Sequence, residues 1–226
     1  MYFISSDFHF SHKRILEFER RRYDTLWEHD QDIIDMLERK LLSSNVDSND
    51  TFYFLGDFGW PNNEGQAQRL IDIFNITPVH TVAILGNHDS KPFFKQQIEA
   101  LFNEVHAYPI YISHRVVLSH YPVPTLYNDD RSPVLNVHGH THSSYIRGEN
   151  YLCASWAVAD YRCISEKAVV NRLAKLPQLD DKFLYEPYAK DYVFVPKHRD
   201  DIAYDKFGNL DVETSRQLVA AKRAER

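Results

Sequence analysis

The stretch YFISSDFH, residues 2–9, begins with a short apolar run and ends in a carboxylate and an imidazole. Such a run, stopping at polar residues, predicts a buried strand that delivers a loop. The pattern recurs at TFYFLGD, residues 51–57, and at VHTVAILGNHD, residues 79–89. Helical periodicity predicts helices between these strands, at about 26–42 and 65–74. This β-α-β order predicts a parallel sheet with ligands at the carboxyl ends of its strands.

The second half of the chain is richer in predicted strands than in helices. The predicted strands are 105–112, 116–119, 134–138, 151–153 and 168–170. Together with the β-α-β opening, they predict an α/β fold, a layered β-sandwich flanked by helices. We expect one catalytic domain over residues 1–170 and a C-terminal extension, 171–226, packed on the same domain. Within the extension, 180–196 is rich in aromatic residues and proline, Phe207-Gly208-Asn209 predicts a turn, and 212–226 a helix.

The polar residues that follow the predicted strands are of the types that bind metal ions. They come from five separate loops and are Asp7, His9, Asp57, Asn87, His88, His120, His140 and His142. The spacing of two in Asp7-Phe8-His9 and His140-Thr141-His142 lets both members of each pair address one site. Oxygen ligands mixed with imidazoles suit Mn²⁺, Fe and Zn²⁺ better than Ca²⁺ or Cu(I).

In this order, the motifs DFH, GDF, GNHD, SHY and GHTH resemble those of the calcineurin-like metallophosphoesterase family, and the small bacterial and phage members most of all. The resemblance covers roughly residues 1–163. It implies that one metal is bound by Asp7, His9 and His142, and the other by Asn87, His120 and His140, with Asp57 bridging them. It also implies a dinuclear centre with a metal-bound hydroxide, and His88 as the general acid, its charged form favoured by Asp89.

The resemblance and the motif chemistry together predict a phosphodiesterase or phosphomonoesterase that uses two divalent metal ions. Mn²⁺ is the expected metal, with Fe, Zn²⁺ and Ni²⁺ as alternatives. The second motif continues as Phe58-Gly59-Trp60, without the acidic residue and arginine typical of protein phosphatases, which favours a small phosphoester such as a nucleotide or cyclic nucleotide. His12, Tyr121 and Arg131 are candidate substrate contacts. The alternatives are a nuclease of the same family and a metal-binding scaffold without catalytic activity.

Composition narrows the remaining possibilities. The formal net charge of −6 argues against a nucleic-acid partner, since non-specific binding needs a basic surface. Two cysteines, Cys153 and Cys163, are too few for a disulfide framework. No signal-peptide pattern or long apolar run is present, so we expect a cytoplasmic protein without membrane segments. The acidic stretch at 28–32 is interpreted as the solvated face of a helix, and nothing predicts the oligomeric state.

Overall fold

The computed structural model describes residues 1–124, 127–128, 132–144, 146, 148–176, 203–204 and 210–211. It divides the chain into two compact units, Met1–Gln178 and Leu179–Arg226. In the second unit the described part is an antiparallel pair of short strands, β10 (Ala203–Tyr204) and β11 (Leu210–Asp211). The features predicted at 180–196, 207–209 and 212–226 lie outside the described residues. The predicted domain boundary at residue 170 stays a prediction.

A five-stranded sheet forms the first layer. Its strands are β1 (Tyr2–Ser5), β2 (Thr51–Phe54), β3 (His80–Ile84), β4 (Glu104–His106) and β9 (Ile164–Ser165), in the order β4-β3-β2-β1-β9. The strands β1 to β4 are parallel, and β9 is antiparallel to β1. The loops after β1, β2 and β3 therefore leave the same edge of this sheet, as the sequence predicts.

The second layer is a four-stranded sheet in the order β5-β6-β7-β8. Its strands are β5 (Ile110–Ser113), β6 (Val116–Ser119), β7 (Leu135–His138) and β8 (Tyr151–Cys153). The strands β6, β7 and β8 are parallel, so the loops after β6 and β7 also share one edge. The two sheets meet at these edges, where Trp156 N donates to Ser6 O at 2.9 Å.

In the part of the chain that the structure describes, five α-helices cover the sheets: α1 (Lys13–Phe18), α2 (Leu26–Leu41), α3 (Glu64–Ile76), α4 (Pro92–Leu101) and α5 (Glu166–Leu173). A capping box between Thr25 and Glu28 sets the start of α2. Side chains alternate across the first sheet, so that Phe3 and Phe52 pack into a phenylalanine-rich core with α2, α3 and α4. On the other face, residues such as Ile4 pack into an aliphatic core with the second sheet. The predicted α/β layered sandwich is confirmed.

Three local predictions are wrong. Residues 105–112 form β4 and β5, in different sheets, with Pro109, which lacks an N–H, between them. Residues 168–170 lie within α5, because Ser165 caps that helix and accepts from Ala168 N. The stretch 28–32 is not wholly solvated, since His29 and Asp30 are 0% and 1% exposed. Among the described residues, no helix is both long and apolar enough to cross a membrane.

Candidate metal centre

Two groups of metal-binding side chains come together where the strand-end loops meet. In each group, one ligand atom from every member lies within 4.8 Å of the others. The first group is Asp7, His9, Asp57 and His142, and the second is Asp57, His120 and His140. Asp57 belongs to both groups, and all six residues were predicted from the sequence. Carboxylate and imidazole donors in this number fit divalent transition metals.

The first group surrounds a buried carboxylate. His142 Nε2 lies 3.5 Å from Asp7 Oδ1 and 3.3 Å from His9 Nε2, and His9 Nε2 lies 3.7 Å from Asp57 Oδ2. Asp7 is held in place by His140 N, which donates to its carboxylate at 3.1 Å, and by the Ser155 hydroxyl, which donates to Oδ2 at 2.7 Å. The nitrogens and oxygens therefore face one another across a small space that a cation could occupy.

The predicted amide ligand, Asn87, lies beside the second group. Asn87 Oδ1 lies 3.0 Å from His120 Nε2 and 3.1 Å from His140 Nδ1, and His120 Nε2 lies 3.6 Å from Asp57 Oδ2. His120 Nδ1 lies 2.8 Å from the carbonyl of Leu55, so this nitrogen carries the proton and donates it. The unprotonated Nε2 is thereby directed at the site, as second-shell hydrogen bonds commonly arrange for metal-binding histidines.

The backbone of the site is strained. Five of the seven predicted metal ligands have positive φ, between 48° and 64°: Asp7, His9, Asp57, His140 and His142. Residues with a Cβ in this region cost on the order of 1–3 kcal/mol each, and such strain persists where surrounding structure imposes it. These five residues lie in the loops that follow β1, β2 and β7. The sequence, with non-glycine residues at all five positions, gave no sign of this strain.

Close packing of glycine backbone brings the loops together. A Cβ on Gly86 would lie 2.5 Å from Asp57 N and against Asp57 Oδ1. A Cβ on Gly139 would lie 2.6 Å from Asp7 Oδ2 and against Ser6 Oγ. Any larger residue would displace the carboxylates, so glycine is required at both positions for the loops to approach this closely.

Charge and burial set the protonation of the site. Burial is the main cause that lowers the pKa of His9, and the positive neighbours His142 and Arg21 lower it further. The His9 imidazole is therefore neutral and can bind a metal. Burial, with the like charges of Asp7 and Asp89, raises the pKa of Asp57 to about 7. A carboxylate in such a place is stabilised by cations, which supply the missing positive charge.

The two residues predicted to act in proton transfer are placed differently. His88 is exposed and belongs to neither metal group; its N–H donates to Asp57 Oδ1 at 2.9 Å, and its ring centroid lies 5.1 Å from that of His9. Asp89 is buried and accepts backbone N–H groups from Gly86, Asp57 and Phe58 at 2.8, 2.7 and 3.0 Å. Its carboxylate holds the loops on which Asp57 and Asn87 are carried.

Two of the three candidate substrate contacts border the site. The ring of His12 lies 5.7 Å from that of His88, and His12 Nδ1 is buried without a hydrogen-bond partner. Burial, then the positive charge of His88, lowers the pKa of His12. The ring of Tyr121 is half exposed and packs 4.4 Å from that of His140. Arg131 lies outside the described residues.

Sequence reasoning missed residues that support the predicted ligands from distant parts of the chain. Ser155 reaches Asp7, and Glu19 Oε2 lies 3.4 Å from His142 Nδ1. Burial opposes the charged form of His142, but Glu19 and Asp7 outweigh it and raise its pKa. Arg21 donates to the main chain of Asp7. None of these residues lies in a motif, and only their position in the fold reveals them.

The family model of the calcineurin-like phosphoesterases (Metallophos) matches residues 3–218. The chain belongs to this family. As a calcineurin-like phosphoesterase it is a hydrolase of phosphoesters, and its family binds divalent metals at residue groups of the kind described above.

Two solved structures are similar to this calcineurin-like phosphoesterase, and the first of them agrees with its fold. A protein of unknown function from Aquifex aeolicus is 24% identical, with a TM-score of 0.56, over 76% of this chain and 98% of that one. The Pseudomonas putida nuclease MPE is 18% identical, with a TM-score of 0.40, over 62% of this chain and 60% of that one. No curated protein matches the sequence significantly.

Proposed function

We propose that this protein is a dinuclear, metal-dependent phosphodiesterase or phosphomonoesterase that acts on a small nucleotide-like phosphoester. The observation that carries the proposal is the membership of Asp57 in both metal-binding groups. One carboxylate has two oxygens and can bridge two cations, whereas two unrelated metal sites would not share a ligand. Mn²⁺ is the proposed metal, because the donors are oxygens and imidazoles without a thiolate.

The ligands would divide between two positions. Asp7, His9 and His142 would hold one cation, and Asn87, His120 and His140 the other, with Asp57 between them. Two such cations, when bound, polarise the phosphoryl oxygens, lower the pKa of water and neutralise charge during an in-line displacement. Burial lowers the pKa of His9, so its imidazole can bind a cation without losing a proton, whereas burial raises the pKa of Asp57, which must lose one.

His88 is proposed to donate a proton to the leaving oxygen. Its side chain is exposed beside the metal-binding residues, yet belongs to neither group, so it remains free to meet substrate. His12, with an unpartnered buried Nδ1 near the His88 ring, is proposed to contact the phosphoester. Tyr121, half exposed beside His140, offers a ring on which a base or another leaving group could pack.

The substrate is proposed to be small. The loop after Asp57 continues with Phe58, which is buried, and Gly59, which adopts a φ of +75° against Phe10. This loop therefore packs inward and does not present the acidic residue and arginine typical of phosphoprotein phosphatases. The net charge of −6 also favours a compact substrate over an extended polyanion.

The direct test is hydrolysis by protein that has been stripped with EDTA and then supplied with a single metal. We expect turnover of bis(p-nitrophenyl) phosphate or p-nitrophenyl phosphate with Mn²⁺, and of at least one cyclic nucleotide. An absence of turnover on all these substrates with Mn²⁺, Fe²⁺, Zn²⁺ and Ni²⁺ would contradict the proposal. Faster hydrolysis of single-stranded DNA than of any nucleotide would move the substrate class to nucleic acid.

His88→Ala is expected to reduce kcat about a hundredfold on a phenyl phosphodiester, and much less on the p-nitrophenyl ester. The reason is that a proton donor matters most when the leaving oxygen is basic. The measurement is kcat for both esters at saturating Mn²⁺. His80→Ala, at the first residue of strand β3, is the control, because His80 pairs with Glu104 on the surface. An equal loss on both esters would show that His88 is not the proton donor.

A further inference from the structure

A buried network of polar side chains contacts the backbone of the first metal-binding loop. Arg21, His29 and Asp30 are 5%, 0% and 1% exposed. The Arg21 guanidinium donates to the carbonyls of Asp7 and Phe8 at 2.7 and 2.8 Å. None of the three was a candidate from the sequence, and none can reach a phosphoester from its buried position.

Arg21 determines the direction of the hydrogen bonds in this network. A guanidinium has donors only, so His29 Nε2, 2.6 Å from Arg21 Nη1, must accept. The His29 proton is then on Nδ1, which donates to Asp30 Oδ1 at 2.8 Å. The Asp30 carboxylate also accepts from Ser11, from N at 3.0 Å and from Oγ at 2.7 Å. One connected network therefore contacts both ends of residues 7–11.

Residues 7–11 need this support because of their backbone conformation. Asp7, His9 and Ser11 all have positive φ, at 58°, 54° and 55°. On one side, the N–H groups of residues 7, 9 and 10 donate to the carbonyls of residues 56, 57 and 58. On the other side of this segment, the hydrogen-bond partners of residues 7–11 described above are Arg21 and Asp30. Without them, buried carbonyls would lose their donors and the strained segment could relax.

A relaxation of this segment would change the positions of the metal ligands that it carries. The alternation of left-handed residues sets the directions of the Asp7 and His9 side chains, which belong to the same metal-binding group. The second group has Asp57, His120 and His140 on other loops, which Arg21 does not contact among the described residues. Loss of the network should therefore weaken one of the two metal positions more than the other.

From this geometry we infer that Arg21, oriented by His29 and Asp30, is a positioning residue that holds Asp7 and His9 in the arrangement needed to bind the first metal ion. The inference rests on the proposed dinuclear function. It concerns residues that never touch metal or substrate, and that act through the backbone of the loop.

The test measures metal binding directly, and not activity alone. EDTA-treated wild type, Arg21→Lys and Asp30→Asn are titrated with Mn²⁺ by isothermal calorimetry and electron paramagnetic resonance. Lysine keeps the charge but lacks the planar fork of donors with which Arg21 reaches two carbonyls and His29 together. Arg22→Lys and Asp32→Asn are the matched controls, since these neighbours form a partly exposed ion pair at 2.7 Å. Ser11→Ala, a milder change, is the replacement if Arg21→Lys does not fold.

We expect wild type and both controls to bind two Mn²⁺. In Arg21→Lys and Asp30→Asn, one site should weaken about 10- to 100-fold while the other changes little. High Mn²⁺ should then restore most of kcat. Two ions bound with wild-type affinity in both variants would overturn the inference alone. A wild type that fails to bind two ions would overturn the proposed function and, with it, this inference.

Discussion

Asp57→Asn should lower kcat/KM by at least about 10³-fold, because it removes the only carboxylate common to both metal-binding groups. An asparagine side chain has one acceptor oxygen and no charge, so it cannot bridge two cations. The remaining oxygen can still accept the His88 N–H that Asp57 Oδ1 accepts. The fold should therefore survive, and the loss should appear as a loss of one bound Mn²⁺ together with activity.

The same substitution should stabilise the metal-free protein at neutral and higher pH. Burial and the charges of Asp7 and Asp89 raise the pKa of Asp57 to about 7 in the folded state, against an ordinary value of 3.8. The native state thus favours the protonated carboxyl. The contribution of the protonated Asp57 carboxyl to the free energy of unfolding is complete below about pH 4 and is lost as the pH rises through about 7. Above pH 7, ionised Asp57 costs the wild type roughly 4 kcal/mol at most.

The measurement is urea unfolding of EDTA-treated wild type and Asp57→Asn between pH 5 and pH 8. We expect the advantage of the variant to grow over this range and to level off near pH 8. Asp72→Asn, on the exposed face of α3, is the control and should show no such trend. Added Mn²⁺ should reverse the order, since metal binding stabilises the wild type by mass action. An advantage that does not depend on pH would contradict this account.

The sequence was sufficient to predict which of these polar residues come together, because their positions follow from local rules. Short apolar runs that end in polar residues predict β1 to β3 almost to the residue, and parallel strands bring Asp7, Asp57 and Asn87 to one edge. The prediction of a strand at 168–170 is wrong because three apolar residues in a row do not distinguish a strand from a helix. In the structure Val169 is buried and Val170 is 53% exposed, as on a helix.

The supporting residues could not be predicted because they are set by tertiary contacts. Ser155 lies 148 residues from Asp7 along the chain, and nothing in its local sequence marks it. His29 and Asp30 follow the polar pattern of an exposed helix face, yet both are buried against Arg21 and Ser11. A prediction from the pattern of polar and apolar residues places every polar residue in solvent. Buried polar networks are therefore the part of a site that such a prediction misses.

Asp89→Ala should destabilise the protein by roughly 3 kcal/mol or more and remove most of its activity. The Asp89 carboxylate is buried and accepts the N–H groups of Gly86, Asp57 and Phe58. Alanine would leave three buried donors without a partner, at about 1–3 kcal/mol each before relaxation or entry of water. Because Asp57 has a φ of 59°, its loop depends on these bonds to keep the carboxylate aimed at the site.

The comparison of Asp89→Ala with Asp89→Asn separates support of the loop from an action on His88. Asparagine keeps one acceptor oxygen and has lost the charge, so it should recover part of the stability and part of the Mn²⁺ affinity. Ser90→Ala, which removes a hydroxyl donating to Asn87 O in the same turn, is the control and should change little.

If Asp89 acted mainly on the charge of His88, Asp89→Asn would shift the pH–rate profile without a loss of stability. The three backbone bonds to Asp89 lead us to expect the reverse. Asp89→Asn should lose unfolding free energy in urea, though less than Asp89→Ala, and the pH–rate profile of its remaining activity should be unchanged.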